Sequence, residues 1–460
     1  MMKQSRDVVK VAAGGLRTLP SNPDSCIGDT LGPTVLLQGT LSTERPTERA
    51  ASLERTASIL SGENSQPILL SLTWAGALHP MKIAFLAPDV DLARRTGEAS
   101  HVTDLAGALS RVGNEVVLAT ARDGMGTDQG IEMITLPSGN TLRCVASLVT
   151  RLRDEPPDVI YERRGSPKIS VALGFLLRRP FFVEINGLVE EEREAQGRGA
   201  GRVNFGALAK STVRGGLLRR SGGVVTVTEG LKRALVERYS LRESAVHVVP
   251  NGVDLELFRP YEKASSRTRL GLPVAGILGV FVGNLVPWQG LGTLLAACPL
   301  IRANIPEWHL LIVGDGVERV RLESEARDLG AAHYVTFAGS VPRSEVPHWI
   351  AASDLAFCTK GGNFQSIASP LKLREYLACG RPVVATALGG SEPDVALSGA
   401  GRVVPPDDTR ALAEATLLIL SDDRLAAEMG RMGRAFAEEH LSWNTVALRL
   451  TDMFRRTLAG

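Results

Sequence analysis

The sequence predicts an α/β protein of two doubly wound halves that face each other across a cleft. From Met81 onward, apolar runs of about four to six residues alternate with amphipathic segments of about ten to fifteen, as in repeated strand–helix–strand units around a parallel sheet. The alternation breaks in the polar stretch Tyr261 to Arg269 and restarts with GILGVFVG, which calls for a second sheet. The composition agrees. With 44% hydrophobic and 22% charged residues, 47 glycines in 460 residues and only 5% aromatics, the chain suits many tight strand-to-helix turns and is not collagen-like, coiled-coil or wholly disordered.

Lys+Arg 52 against Asp+Glu 50 leaves a net charge of +2, which speaks against a nucleic-acid-coating protein. The five cysteines, Cys26, Cys144, Cys298, Cys358 and Cys379, are far apart and form no C-x-x-C, so a reducing cytoplasm and no structural metal are expected. The apolar stretch Ile68 to Leu78 is shorter than the roughly 20 residues that cross a bilayer, and it lies too far in for a signal peptide.

Residues 1–80 mix Ser, Thr, Pro, Gly and balanced charges without a sustained period, and are expected to be a disordered extension or the product of a wrongly assigned start before Met81. The first half, 81–254, has candidate strands Lys82 to Leu86, Glu115 to Ala119, Val159 to Tyr161, Phe181 to Ile185, Val224 to Val227 and Val246 to Val249. The second half, 255–440, has Leu278 to Val282, His309 to Val313, Val335 to Ala338, Leu355 to Cys358, Pro382 to Ala385 and Gly401 to Val404. Residues 441–460 form a last helix that crosses back to brace the first half. Ligands of open parallel sheets bind beyond the carboxyl ends of the strands, so the site is expected between the halves.

The strongest local signal is SIASPLKLREYLACGRPVVAT, Ser366 to Thr386. Ser369 reads as an N-cap, Pro370 as the first helical residue and Gly380 as the stop before a buried strand. Such a helix start offers backbone N–H groups and a positive dipole end to an anion, with diphosphate the natural guest. Glu375, on the face shared with Leu371, is placed to accept both hydroxyls of a ribose. The plain reading is a capped structural helix with Lys372 and Glu375 as a solvated pair.

That string, with VVPNGVDLELF, FVGNLVPWQGLGTLLAA, HLLIVGDG, VTFAGSVPRSEVPHWIAASDLAF and the entry KIAFLAPDVDLARRTGEASHVTDLAGALSRVGNEVVLAT, resembles a family 4 glycosyltransferase of the GT-B fold. The resemblance runs in family order from Met81 to the C-terminus; residues 1–80 have no counterpart. It implies two Rossmann-like domains, an acceptor-side N-domain and a nucleotide-sugar-binding C-domain. It also implies transfer of a sugar with retention, usually without a metal or any cofactor besides the donor, a UDP- or GDP-sugar.

Carried over residue by residue, the resemblance makes Glu375 the ribose ligand and the turn Ser369, Pro370, Leu371 and Lys372 the diphosphate cradle. Gly97 falls in the N-terminal loop facing the phosphates, Gly283 in the loop after the first C-domain strand, and His101 at the start of the first helix, where a cap or packing role is the bland alternative. Three departures stand out. Asn284 and Gln289 occupy the places where the family usually has an Arg and a Lys on the diphosphate. Ile367 takes the place of the first Glu of the family's Glu-x7-Glu pattern. Asn186, in VEINGLVEEE, falls where a histidine near the donor sugar is often found. Losing two charge-assisted hydrogen bonds costs about 3 to 6 kcal/mol, on the order of a hundredfold to ten-thousandfold in affinity, unless something substitutes. Lys372, at the helix start, is the available substitute.

Weaker matches are Asp89 and Asp91, a D-x-D that reads as loop chemistry, and VGDGVER, in which Arg319 stands where a dinucleotide fold needs a third glycine. No P-loop is present. The segment Arg198 to Arg220 gathers Arg198, Arg202, Lys210, Arg214, Arg219 and Arg220 around Phe205, Leu208, Leu217 and Leu218. It reads either as a solvated helix or as a basic amphipathic one that lies on anionic lipid.

The expectation is therefore a metal-independent hexosyltransferase of cell-surface polysaccharide or glycoconjugate synthesis. It would be cytoplasmic or peripheral on the inner face of the membrane, with a glycan or lipid-linked acceptor and no nucleic acid, and with Lys372, Glu375, Asn186 and His101 at the chemistry. The alternatives are a non-catalytic GT-B-fold scaffold with an eroded donor site and a nucleotide-sugar epimerase, whose acid and base side chains have no evident place in the sequence.

Overall fold

Runs rich in Val, Ile, Leu and Phe, buried on both faces, form the two parallel sheets. The structure is a computed structural model; it describes residues 80–94, 96–122, 130–138, 140–163, 167–187, 205–361, 369–387 and 392–459. The extension expected over 1–80 falls almost wholly outside these residues. The first sheet has seven strands: β1 (Lys82–Asp91), β2 (Glu115–Arg122), β3 (Glu132–Thr135), β4 (Val159–Arg163), β5 (Phe181–Ile185), β6 (Gly223–Thr226) and β7 (Val246–Val248), in the order β3-β2-β1-β4-β5-β6-β7. The second has six: β8 (Ile277–Val282), β9 (Trp308–Val313), β10 (Val335–Gly339), β11 (Leu355–Cys358), β12 (Val383–Thr386) and β13 (Gly401–Val404), in the order β10-β9-β8-β11-β12-β13.

In each sheet the order reverses beside the first strand, between β1 and β4 and between β8 and β11. These are the switch points at which a ligand crevice opens. Every expected strand is present. β3 was not expected: EMIT is a four-residue edge strand with a single fully buried residue, too little for a pattern to show. Asp89 and Asp91 lie inside the long β1 rather than after it, and Asp91 Oδ1 accepts the Ala93 N–H at 3.0 Å, which is turn chemistry.

The helix Trp443–Ala459 lies against the first sheet. Its Trp443, Val446, Ala447, Leu450 and Phe454 join Ile83, Phe85, Val102 and Leu105 in one core cluster. Asn114 Nδ2 donates to Thr451 Oγ1 at 2.9 Å, tying the end of helix Gly97–Arg111 to it. The two sheets belong to one compact unit.

Candidate donor and transfer site

The helix Leu371–Ala378 is the centre of the site, and its ends explain its placement. Gly380, at φ 64°, ends it with the Gly380 N–H on Leu377 O at 2.9 Å and the Arg381 N–H on Tyr376 O at 3.0 Å. The Tyr376 hydroxyl accepts the Val282 N–H at 2.8 Å, which seats the helix against the end of β8. At the other end the sequence reading is corrected. Pro370 is the N-cap and no side chain caps the helix; the buried Ser369 hydroxyl accepts instead from Arg374, which is paired with Asp394 at 3.0 Å. Asn251 Nδ2 holds the Ser369 carbonyl at 3.2 Å. Among the first-turn N–H groups, that of Leu373 is bonded to the Pro370 carbonyl at 3.2 Å, and none is capped by Ser369.

The structure brings Lys372, Gln289 and Gly283 together. Lys372 Nζ donates to Gln289 Oε1 at 2.9 Å and sits 3.8 Å from the centre of the Phe281 ring. Gly283 has φ 144°, which favours glycine, and a Cβ there would lie 2.8 Å from Lys372 Nζ and displace the ammonium from its present position. Burial pushes the Lys372 ammonium down to about 7, with Lys360 adding to the shift and Cys358 and Glu375 opposing it. Asn284 is exposed at the mouth of the same loop.

One turn along, Glu375 is pushed up to about 7 by burial, with the Asp104 carboxylate adding and Arg343 opposing. It lines a crevice with Ser100, Asp104, Arg343, Leu371 and Trp443, to which both halves contribute. Across the crevice Arg343 Nη2 donates to Asp104 Oδ2 at 2.5 Å and Trp443 Nε1 to the same oxygen at 3.0 Å. Burial raises the Asp104 carboxyl, against the opposing pull of Arg343. Gly97 opens its helix against this edge: a Cβ there would touch Leu371 Cδ1 at 3.5 Å.

His101 and Asn186 form a second group, on the wall made by the first sheet. Both meet Glu184, which is 3% exposed at the end of β5. Asn186 Nδ2 donates to Glu184 Oε1 at 2.5 Å, and His101 Nε2 lies 2.7 Å from the same oxygen without the alignment of a hydrogen bond. The Tyr161 hydroxyl donates to Oε2 at 2.5 Å. Arg163 stands 3.6 Å from Glu184 and 3.8 Å from the exposed Glu98. The His101 ring meets Trp443 edge-on at 5.0 Å, so it packs as well as faces a charge.

Sequence reasoning missed Glu184, Tyr161, Asp104, Arg343 and Trp443. A signal existed for Glu184 alone, a carboxylate in the otherwise apolar FFVEI. Ile367, Arg198 and Arg202 lie outside the described residues. In the helix Phe205–Leu218 and just after it, Arg214 donates to the Tyr239 hydroxyl at 2.9 Å and Arg219 to the Tyr239 carbonyl at 2.6 Å. Those two cations are engaged within the chain rather than held free for lipid. No helix of the described residues is long and apolar enough to cross a membrane.

Comparison with known proteins agrees with the two-sheet fold. Residues 95–257 match the model "Glycosyltransferase Family 4" and residues 277–422 the model "Glycosyl transferases group 1". A GDP-mannose-dependent alpha-(1-6)-phosphatidylinositol monomannoside mannosyltransferase of Mycolicibacterium smegmatis is 34% identical over 245 residues, 51% of this chain and 64% of that protein. A D-inositol 3-phosphate glycosyltransferase of Thermobispora bispora is 33% identical over 244 residues, 51% of this chain and 55% of that protein. The matched region thus spans between about half and two thirds of these relatives, 55% and 64%.

Among solved structures, sucrose-phosphate synthase from Thermosynechococcus elongatus superposes with a TM-score of 0.68 at 24% identity, over 82% of this chain and 99% of that one. Anabaena HepE in complex with UDP gives 0.68 at 20% identity, over 82% and 100%. These likenesses establish the fold. With matching models on both sheets, in family order, and the GT-B architecture around them, the chain belongs to the family 4 glycosyltransferases.

Proposed function

We propose that the protein transfers a sugar, with retention, from a nucleoside-diphosphate sugar to a glycan or lipid-linked acceptor. The observation that carries this reading is the start of the helix Leu371–Ala378. There Lys372 and Gln289 form one polar unit beside the Gly283 turn, while Glu375 faces the other half of the chain. An ammonium and a helix start that no side chain caps suit a diphosphate, and a carboxylate one turn on suits a ribose. As the bond to the sugar breaks, charge develops on the diphosphate, and preorganised donors aimed at it are the main contribution the protein makes. A phosphate oxygen of the leaving group then takes the proton of the attacking hydroxyl on the same face, and no side-chain nucleophile is required.

GDP- and UDP-sugars are the donors to try first, GDP-mannose foremost given the name of the Mycolicibacterium relative, with a lipid-linked acceptor. The non-catalytic alternative draws no support from the relatives, which are named as transferases. Peripheral contact with anionic lipid on the cytoplasmic face belongs to the same proposal and rests on the basic composition of the segment before β6. The test is release of nucleoside diphosphate from a panel of UDP- and GDP-sugars in the presence of lipid-linked and free glycan acceptors. Acceptor-dependent release from one donor is expected. No release from any, with the protein folded, would overturn the reading.

A further inference from the structure

The carboxylate of Glu184 is a hub that the chemistry above leaves unused. A carboxylate can only accept hydrogen bonds, so the Asn186 amide turned toward it has to present Nδ2, and this dictates which way the amide faces. The other end, Asn186 Oδ1, is buried and has no hydrogen-bond partner among the described residues. A buried acceptor left unmade is costly, and a substrate hydroxyl would satisfy it. The same carboxylate oxygen draws His101 to 2.7 Å, on the helix whose first residue, Gly97, meets Leu371. Burial would raise the carboxyl, but His101, Arg163 and the Tyr161 hydroxyl outweigh it and hold Glu184 down at about 2, so it is anionic at any working pH.

We infer that Glu184 is a positioning residue for the transfer step: by holding Nδ2 it keeps the Asn186 carboxamide with Oδ1 turned away from the carboxylate, as an acceptor for a hydroxyl of the bound substrate, and touches no substrate itself. The inference rests on the transferase reading above. It differs from a structural role because Glu184→Gln keeps the shape but can donate as well as accept, which frees the Asn186 amide to turn over.

The experiment is a double-mutant cycle in kcat on the full chain with Glu184→Gln and Asn186→Ala, alongside calorimetry with UDP and GDP. Glu184→Gln is expected to lower kcat by about ten- to a hundredfold, while the affinity for the nucleoside diphosphate, held by the other half, stays within about twofold. The double variant should lose no more kcat than Asn186→Ala alone. Asn186→Asp covers the case in which Glu184→Gln fails to fold, since it keeps an acceptor oxygen but removes the N–H that Glu184 holds; its kcat should fall as far as that of Asn186→Ala. Additive losses, an active Asn186→Asp, or parallel loss of nucleotide affinity and melting temperature in Glu184→Gln would each overturn the inference. Absence of transfer by the wild type would instead bring down the transferase reading and this inference with it.

Discussion

Lys372 Nζ and Gln289 Oε1 are joined by a 2.9 Å hydrogen bond, so the neutral side chain in the loop after β8 and the cation at the start of the helix Leu371–Ala378 act as one unit. On the proposed reading, this relation lets a loop with Asn284 and Gln289, where the family resemblance implies an Arg and a Lys, still serve a diphosphate. It predicts that restoring the usual charges brings no gain. Asn284→Arg with Gln289→Lys would set a second ammonium against Lys372 and remove its acceptor. Nucleoside-diphosphate affinity, measured by calorimetry, should be unchanged or weaker in the double variant; a gain of a hundredfold or more would mean a merely eroded site.

The titration of Lys372 and Glu375 makes a second prediction. Lys372 is pushed down from 10.5 to about 7, so between those values the unfolded chain holds a proton that the folded chain lacks, and stability rises with pH across that window. Glu375 is pushed up from 4.5 to about 7, so between those values the folded chain holds the extra proton, and stability is lost as pH rises through the window. Together they give the ligand-free protein a minimum near pH 7. Melting temperatures across pH should show that minimum in the wild type and not in Lys372→Met with Glu375→Gln. The same profile in both would refute it.

The bridge from Arg343 to Asp104 joins the two halves beside Glu375. Arg343 is about a third exposed, at 32%, so the pair itself stabilises by only about 0 to 1 kcal/mol. Its electrostatic effect is larger than its stability effect, because Asp104 raises the Glu375 carboxyl and Arg343 lowers it. Asp104→Asn should therefore move the stability minimum to lower pH while changing the melting temperature at pH 5 by no more than about 2 to 4 °C. A minimum left in place would contradict this placing of Asp104.

Gly279 in β8 tests the core beneath the site. A Cβ there would collide with Trp308 and come within 2.7 Å of Phe357, both buried and packed edge-on. Gly279→Ala should cost at least about 1 to 3 kcal/mol and lower the melting temperature accordingly; an unchanged value would mean that this core yields more readily than its packing implies.

The parallel sheets were legible because runs such as VVAT and ILGVFV are buried on both faces and read as continuous apolar segments. The helix Leu371–Ala378 was legible through Pro370 and Gly380, although Ser369 proved to serve Arg374 rather than the helix end. The partners of the site residues were not legible. Arg343 and Asp104 lie 239 positions apart, and Trp443 lies 339 from Asp104, so no local spacing could pair them. Glu184 came closest to showing itself, since a carboxylate in FFVEI demands compensation once the strand is buried.

The most direct test of the central claim is calorimetric titration of the wild type, Lys372→Ala and Glu375→Ala with UDP, GDP and the corresponding nucleosides at pH 7. The account predicts that one diphosphate binds the wild type. Lys372→Ala should lose about 1.5 to 3 kcal/mol of diphosphate affinity with the nucleoside unaffected, whereas Glu375→Ala should weaken nucleoside and diphosphate alike. Binding of neither nucleotide, or equal binding by all three proteins, would contradict it.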